Sequence, residues 1–250
     1  MTKTQKIGVS CFLLVQFSLY ILILFVDNTI LKYLEFTAVA LAFSASFLFF
    51  SIKDKTYLTH TALLFTVISD VFLVLCDPQL KTLSMITFSI TQIMYAVRIL
   101  METRSKAIKI VHIILRVGLS LLVVAISTLV LKENTDLLSL ISMFYFTNLA
   151  LNVLMSFFNK DSSVLFQIGL FLFMLCDLFV GFGQLEAYLA ISETSLLYKM
   201  AHSSFNFIWL FYVPAQTLLA ISITKRQPTR GKTQRIKQLK SKLITQKNNK

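Results

Sequence analysis

Two aspartates stand in surroundings where aspartate is costly. Asp70 lies in the apolar stretch Leu64-Phe65-Thr66-Val67-Ile68-Ser69-Asp70-Val71-Phe72, and Asp177 in Phe171-Leu172-Phe173-Met174-Leu175-Cys176-Asp177-Leu178-Phe179. Each follows a small residue and precedes an apolar residue and then a phenylalanine. An ionisable side chain at bilayer depth costs roughly 2.5–3.5 kcal/mol even on a lenient insertion scale, and such groups mark proton relays, ion paths or reaction centres. A pair of carboxyl groups supports two chemistries. One group can donate a proton while the other steers water, as in glycoside hydrolysis. Alternatively, the pair can carry protons through a transporter. A structural role, with each aspartate bonding a neighbouring helix, is the third reading.

The elements that hold these residues follow from the apolar patterning. Hydrophobic residues make up 56% of the 250-residue chain and charged residues 14%, against roughly 25% charged in soluble domains. Mean hydropathy is +0.74. A soluble domain could not cover so much apolar surface, and a disordered chain needs the opposite composition. Eight apolar runs of spanning length appear: Ile7–Val26, Tyr33–Ile52, Tyr57–Cys76, Thr82–Met101, Ile108–Leu131, Leu137–Phe158, Val164–Gln184 and Ala201–Ile223. They are continuous rather than alternating, which selects helices over barrel strands. The expected fold is an all-α integral membrane protein of eight transmembrane helices. The first run resembles a signal peptide, but it is long and Val26-Asp27-Asn28 is no cleavage site, so it is read as a retained helix.

The 24 Lys and Arg against 12 Asp and Glu give a net charge of +12, distributed unevenly. Residues 225–250 hold seven Lys, three Arg and no acid. The division is therefore a transmembrane domain, residues 1–223, and a basic tail, residues 224–250. With both termini in the cytoplasm, the inner segments collect all the basic residues except Lys32, Lys81, Lys132 and Lys199, in accord with the positive-inside rule. In the tail, Ile236, Leu239 and Leu243 recur at helical spacing among basic residues. This suits a helix on the anionic inner leaflet, with a solvated tail as the rival. A nucleic-acid arm is disfavoured because the tail has no aromatic residue. The expected location is a bacterial cell membrane.

Asp70 and Asp177 are 107 residues and four runs apart, so their helices run in one direction. Each falls roughly 14 residues from its cytoplasmic start, about 20 Å up the helix. They share one depth in the outer half, compatible with a 4+4 parallel repeat. Other polar residues fall on shared faces: Gln92 with Tyr95, Asn148 with Asn152, and Tyr212 with Gln216. Each serves either interhelical bonding or a polar site. Pro214 interrupts the last run and frees the Leu210 carbonyl. Arg98 and Arg116 are read as snorkelling to the cytoplasmic interface, and Glu35 as lying near the outer face. The histidines His60, His112 and His202 are scattered. Cys11, Cys76 and Cys176 are read as buried thiols, odd in number and without a C-x-x-C spacing. No metal or cofactor is expected, and no soluble catalytic signature is present.

Several stretches resemble the YhhN-like membrane protein family. They are Leu64 to Leu73 around Asp70, Phe88-x-x-x-Gln92-x-x-Tyr95, Gly169 to Asp177, and Trp209-Leu210-Phe211-Tyr212-Val213-Pro214-Ala215-Gln216. The family includes the lysoplasmalogenases of animals. The resemblance covers most of the eight runs and omits the tail. It implies a hydrolase cleaving the vinyl ether bond of lysoplasmalogens to a fatty aldehyde and a glycerophospho-ethanolamine or -choline. It places the family's intramembrane aspartates at Asp70 and Asp177. Gln92, Tyr95, Asn148, Asn152, Tyr212 and Gln216 then orient water or bind the lipid's polar part. Gln92 departs from the pattern, because many members carry His there, and Gln cannot exchange a proton near neutral pH.

Overall fold

In a bilayer the backbone must satisfy its own hydrogen bonds, so each apolar run folds as a helix. A computed structural model describes residues 3–25, 30–52, 55–76, 80–189, 191–203 and 205–223. The basic tail, with its leaflet-helix expectation, lies outside the described residues. Among them the regular structure is entirely helical: α1 Lys3–Phe25, α2 Leu31–Ser46, α3 Thr56–Asp70, α4 Lys81–Glu102, α5 Lys106–Leu131, α6 Leu137–Phe158, α7 Val164–Gln184, α8 Leu196–Ala201 and α9 Phe207–Ile221. A π-helical turn, Val71–Leu75, continues α3.

Six helical segments are long and apolar enough to cross a membrane, namely those containing α1, α3, α4, α5, α6 and α7. The other two expected runs give shorter helices, 16 residues in α2 and 15 in α9. At 1.5 Å per residue these reach about 24 and 22 Å, short of a hydrocarbon core of about 30 Å. Polar bonds lie at both breaks. The Ser46 hydroxyl donates to Phe43 O at 2.5 Å and meets His60 Nδ1 at 2.6 Å, and the chain turns over residues 47–49. At the other break, the Asn206 side chain caps α9 by accepting from the Trp209 amide at 3.3 Å.

α7 packs against α9, α3 against α4, α4 against α6, and α5 against α6 alone among the long helices. On α5 only His112, Ser120, Ser127 and Leu131 are buried, and most of its remaining apolar surface is exposed. Gly169 sets the α7–α9 approach. A Cβ there would lie 2.9 Å from Leu219 Cγ and 3.2 Å from the Leu219 backbone nitrogen. Small residues at such crossings let membrane helices close to contact. Pro214 lies inside α9, and the Leu210 carbonyl accepts the Tyr20 hydroxyl of α1 at 3.2 Å.

Two expectations need correction. Arg98 and Arg116 do not snorkel. Arg98 is 6% exposed and donates to Thr59 Oγ1 at 2.5 Å, Ser222 Oγ at 3.2 Å and Glu102 Oε1 at 3.0 Å, above the Phe166 ring. Arg116 reaches across to α6, donating to Asn148 Oδ1 at 2.5 Å and Asn152 Oδ1 at 2.7 Å. Polar acceptors on facing helices capture both guanidinium groups inside the bundle. Of the three thiols, only Cys176 is buried, while Cys11 and Cys76 are exposed.

Candidate functional site

Asp70 is the last residue of α3, where the helix widens into the π-turn. Such local helix defects are frequent at functional sites. The widening is anchored beside α4: Ser69 Oγ donates to Thr87 Oγ1 at 2.6 Å, and Ser84 Oγ donates to Ser69 O at 3.0 Å. Asp70 is 1% exposed. Its Oδ2 accepts the Tyr212 hydroxyl of α9 at 2.7 Å. Asp177 is the fourteenth residue of α7 and keeps part of its surface open. Its Oδ2 accepts the Tyr145 hydroxyl of α6, and its side chain also meets the Cys176 thiol.

The two aspartates converge. The Asp177 carboxyl acts electrostatically on Asp70, and the thiol of Cys176 feels both. A line of rings joins their phenols. Tyr145 lies 5.8 Å from Phe88, Phe88 lies 6.1 Å from Phe173, and Phe173 lies 5.5 Å from Tyr212. Each carboxyl group is therefore held by a hydroxyl whose ring is packed in the core, which fixes its position.

The remaining polar residues fall into two sets. In the first, Asn148 and Asn152 grip Arg116, which also meets His112 Nε2 at 3.0 Å. Asn152 Nδ2 then donates to Gln92 Oε1 at 3.0 Å, linking α5, α6 and α4. Gln92 in turn lies against the Tyr145 hydroxyl, so this set touches the Asp177 side of the pair. The second set consists of buried atoms without a hydrogen-bond partner among the described residues: Gln92 Nε2, the Tyr95 hydroxyl, and both amide atoms of Gln216. Buried polar groups need partners, and such atoms are where internal water or a ligand's polar end is held.

Two residues of the site had no role in the sequence reading. Tyr145 shares a helix face with Asn148 and Asn152, at i, i+3 and i+7, and that spacing was the available signal. Glu35, on α2, is buried in the bundle at 8% exposure. It also acts electrostatically on Asp70. His60 is boxed by Phe43, Phe47 and Phe50, while His202 lies 3.5 Å from Glu186 and stacks on Tyr198. Among the described residues no group of three or more His, Cys, Asp or Glu is arranged to hold a metal ion.

A family model described as the YhhN family matches residues 29–223, the span from just before α2 to just past α9. No curated protein and no solved structure matches the chain.

Proposed function

The chain belongs to the YhhN family, and we propose on that premise that it is a membrane-embedded hydrolase of the vinyl ether bond of lysoplasmalogens. The observation that carries the proposal is the convergence of Asp70 and Asp177, each held by a core tyrosine. In the proposed reaction Asp70, sealed from solvent, gives its proton to the vinyl carbon remote from the ether oxygen. The carbon bearing the oxygen becomes an oxocarbenium centre. Asp177, with an open side, takes a proton from water as the water oxygen bonds to that centre. The resulting hemiacetal loses its hydroxyl proton to the departing glycerol oxygen as the carbon–oxygen bond breaks. This releases a fatty aldehyde and a glycerophospho-ethanolamine or -choline. The proton on Asp177 returns to Asp70, and the pair is reset. The division of labour follows the general pattern of paired carboxylates in different surroundings.

Tyr212 and Tyr145 orient the two carboxyl groups. Gln92, Tyr95 and Gln216 present the free polar atoms that meet water or the lipid. Asn148 and Asn152 act at one remove, through Arg116 and Gln92. The same proposal keeps both termini cytoplasmic and assigns the basic tail to anionic inner-leaflet lipid. The test is incubation of the purified protein with a lysoplasmalogen, followed by mass analysis of both products. Aldehyde and glycerophospho-alcohol in equal amounts are expected. Movement of intact lipid across a liposome wall without cleavage would replace the hydrolase by a carrier.

A further inference from the structure

A chain of side-chain amides can be hydrogen-bonded in either direction, unless its ends admit only one. A guanidinium donates and never accepts, and a backbone carbonyl accepts and never donates. Asn152 is clamped between one of each. Its Oδ1 accepts from Arg116 Nη2 at 2.7 Å, and its Nδ2 donates to the Gln92 backbone carbonyl at 2.8 Å. Asn152 therefore faces Gln92 with its N–H end, and the Gln92 side chain meets that end with Oε1 at 3.0 Å. What remains free on Gln92 is Nε2, a donor. Both residues are 0% exposed, and Nε2 has no hydrogen-bond partner among the described residues. A buried N–H calls for an acceptor oxygen.

We propose that Asn152, anchored by Arg116, is a positioning residue that turns Gln92 to hold a water molecule on the Asp177 side of the aspartate pair. The packing puts that donor where water is used. Phe88, one turn before Gln92 on α4, packs against Tyr145 at 5.8 Å, and the Tyr145 hydroxyl donates to Asp177 Oδ2. Side chains lean toward the N-terminus of their helix, so Gln92 leans toward Phe88 and Tyr145. A position sealed from the exterior suits a single water, which internal polar groups commonly hold, rather than a bulky lipid group. A water that accepts from Gln92 Nε2 and donates to Asp177 keeps one lone pair for the oxocarbenium carbon. Its part as nucleophile rests on the hydrolase reading, whereas its binding does not.

The probe is water itself, read by magnetic resonance on the detergent-solubilised full chain with isotope-labelled glutamine. The Gln92 side-chain amide protons, assigned by their loss in Gln92→Met, are expected to show cross-relaxation with water. Asn152→Asp keeps an acceptor for Arg116 but offers Gln92 no donor, so the Gln92 amide turns its N–H end to the new carboxylate. That variant is expected to lose the water contact and at least tenfold in kcat, with KM within twofold of the wild type. A merely structural Asn152 would leave both the contact and kcat in place. No water contact at Gln92 in the wild type, or an unchanged contact or kcat in folded Asn152→Asp, would overturn the assignment. The wild-type spectrum decides the matter alone if Asn152→Asp does not fold. Water contact without aldehyde release would sink the hydrolase and keep the water site, and aldehyde release without water contact would do the reverse.

Discussion

Tyr212→Phe removes one oxygen atom and little else. The ring is held between Trp209 at 5.2 Å and Phe173 at 5.5 Å, and phenylalanine fills the same space. What is lost is the 2.7 Å bond to Asp70, a carboxyl group that is 1% exposed and cannot turn to water for a substitute. Leaving a buried polar group unsatisfied costs about 1–3 kcal/mol, more if it is charged. Stability in detergent, followed by thermal or dodecyl sulfate unfolding, should fall by that amount. A double-mutant cycle isolates the cause. In an Asp70→Asn background the hydroxyl meets a neutral amide, for which a bond is worth about 0.5–1.5 kcal/mol. The second substitution should therefore cost roughly 1 kcal/mol less there than in the wild type. Equal costs in the two backgrounds would refute the claim that Tyr212 acts through Asp70. Loss of orientation should also lower kcat for aldehyde release.

Other substitutions test the frame around the site. Gly169→Ala forces a methyl group against Leu219, whose backbone nitrogen at 3.2 Å cannot retreat as a side-chain tip can. A loss of about 1–3 kcal/mol is expected from overpacking, read as a lower Tm, with a parallel fall in activity because α7 carries Asp177. Asp136 caps α6 by accepting from the Ser139 amide at 2.7 Å, and Asp136→Ala should cost about 1 kcal/mol. Slight burial pushes the Asp136 carboxyl up, but the hydrogen bonds from Ser139 and Tyr188 outweigh it and hold the group below the ordinary carboxylate range. Its contribution is then complete above about pH 4 and is lost as pH falls through the lowered value. The acid sensitivity of unfolding should diminish in Asp136→Ala.

Much of this architecture is legible in the chain. Continuous apolar runs specify helices, and the matched surroundings of Asp70 and Asp177 single out the pair. Pro214 also foretells a free Leu210 carbonyl, which Tyr20 occupies. What the sequence conceals depends on partners from other helices. Distance from a helix end made Arg98 and Arg116 look like snorkelling residues, yet Thr59, Ser222, Asn148 and Asn152 draw them inward. Glu35 is placed by the sequence only near the outer face, and its burial at 8% exposure depends on helices packed around α2 that the sequence does not reveal. Helix lengths in α2 and α9 were overestimated because apolar composition continues past Ser46 and begins before Asn206. The polar bonds at those ends are tertiary or local ones.

The central claim is that two carboxyl groups together cleave a vinyl ether. Its most direct test is aldehyde release from lysoplasmalogen by the purified wild type, Asp70→Asn and Asp177→Asn, each shown by unfolding to be folded. The wild type should release aldehyde, and each variant should lose at least a hundredfold in kcat, since the amide neither donates an acidic proton nor accepts one from water. Undiminished release by either folded variant would contradict the two-carboxylate account.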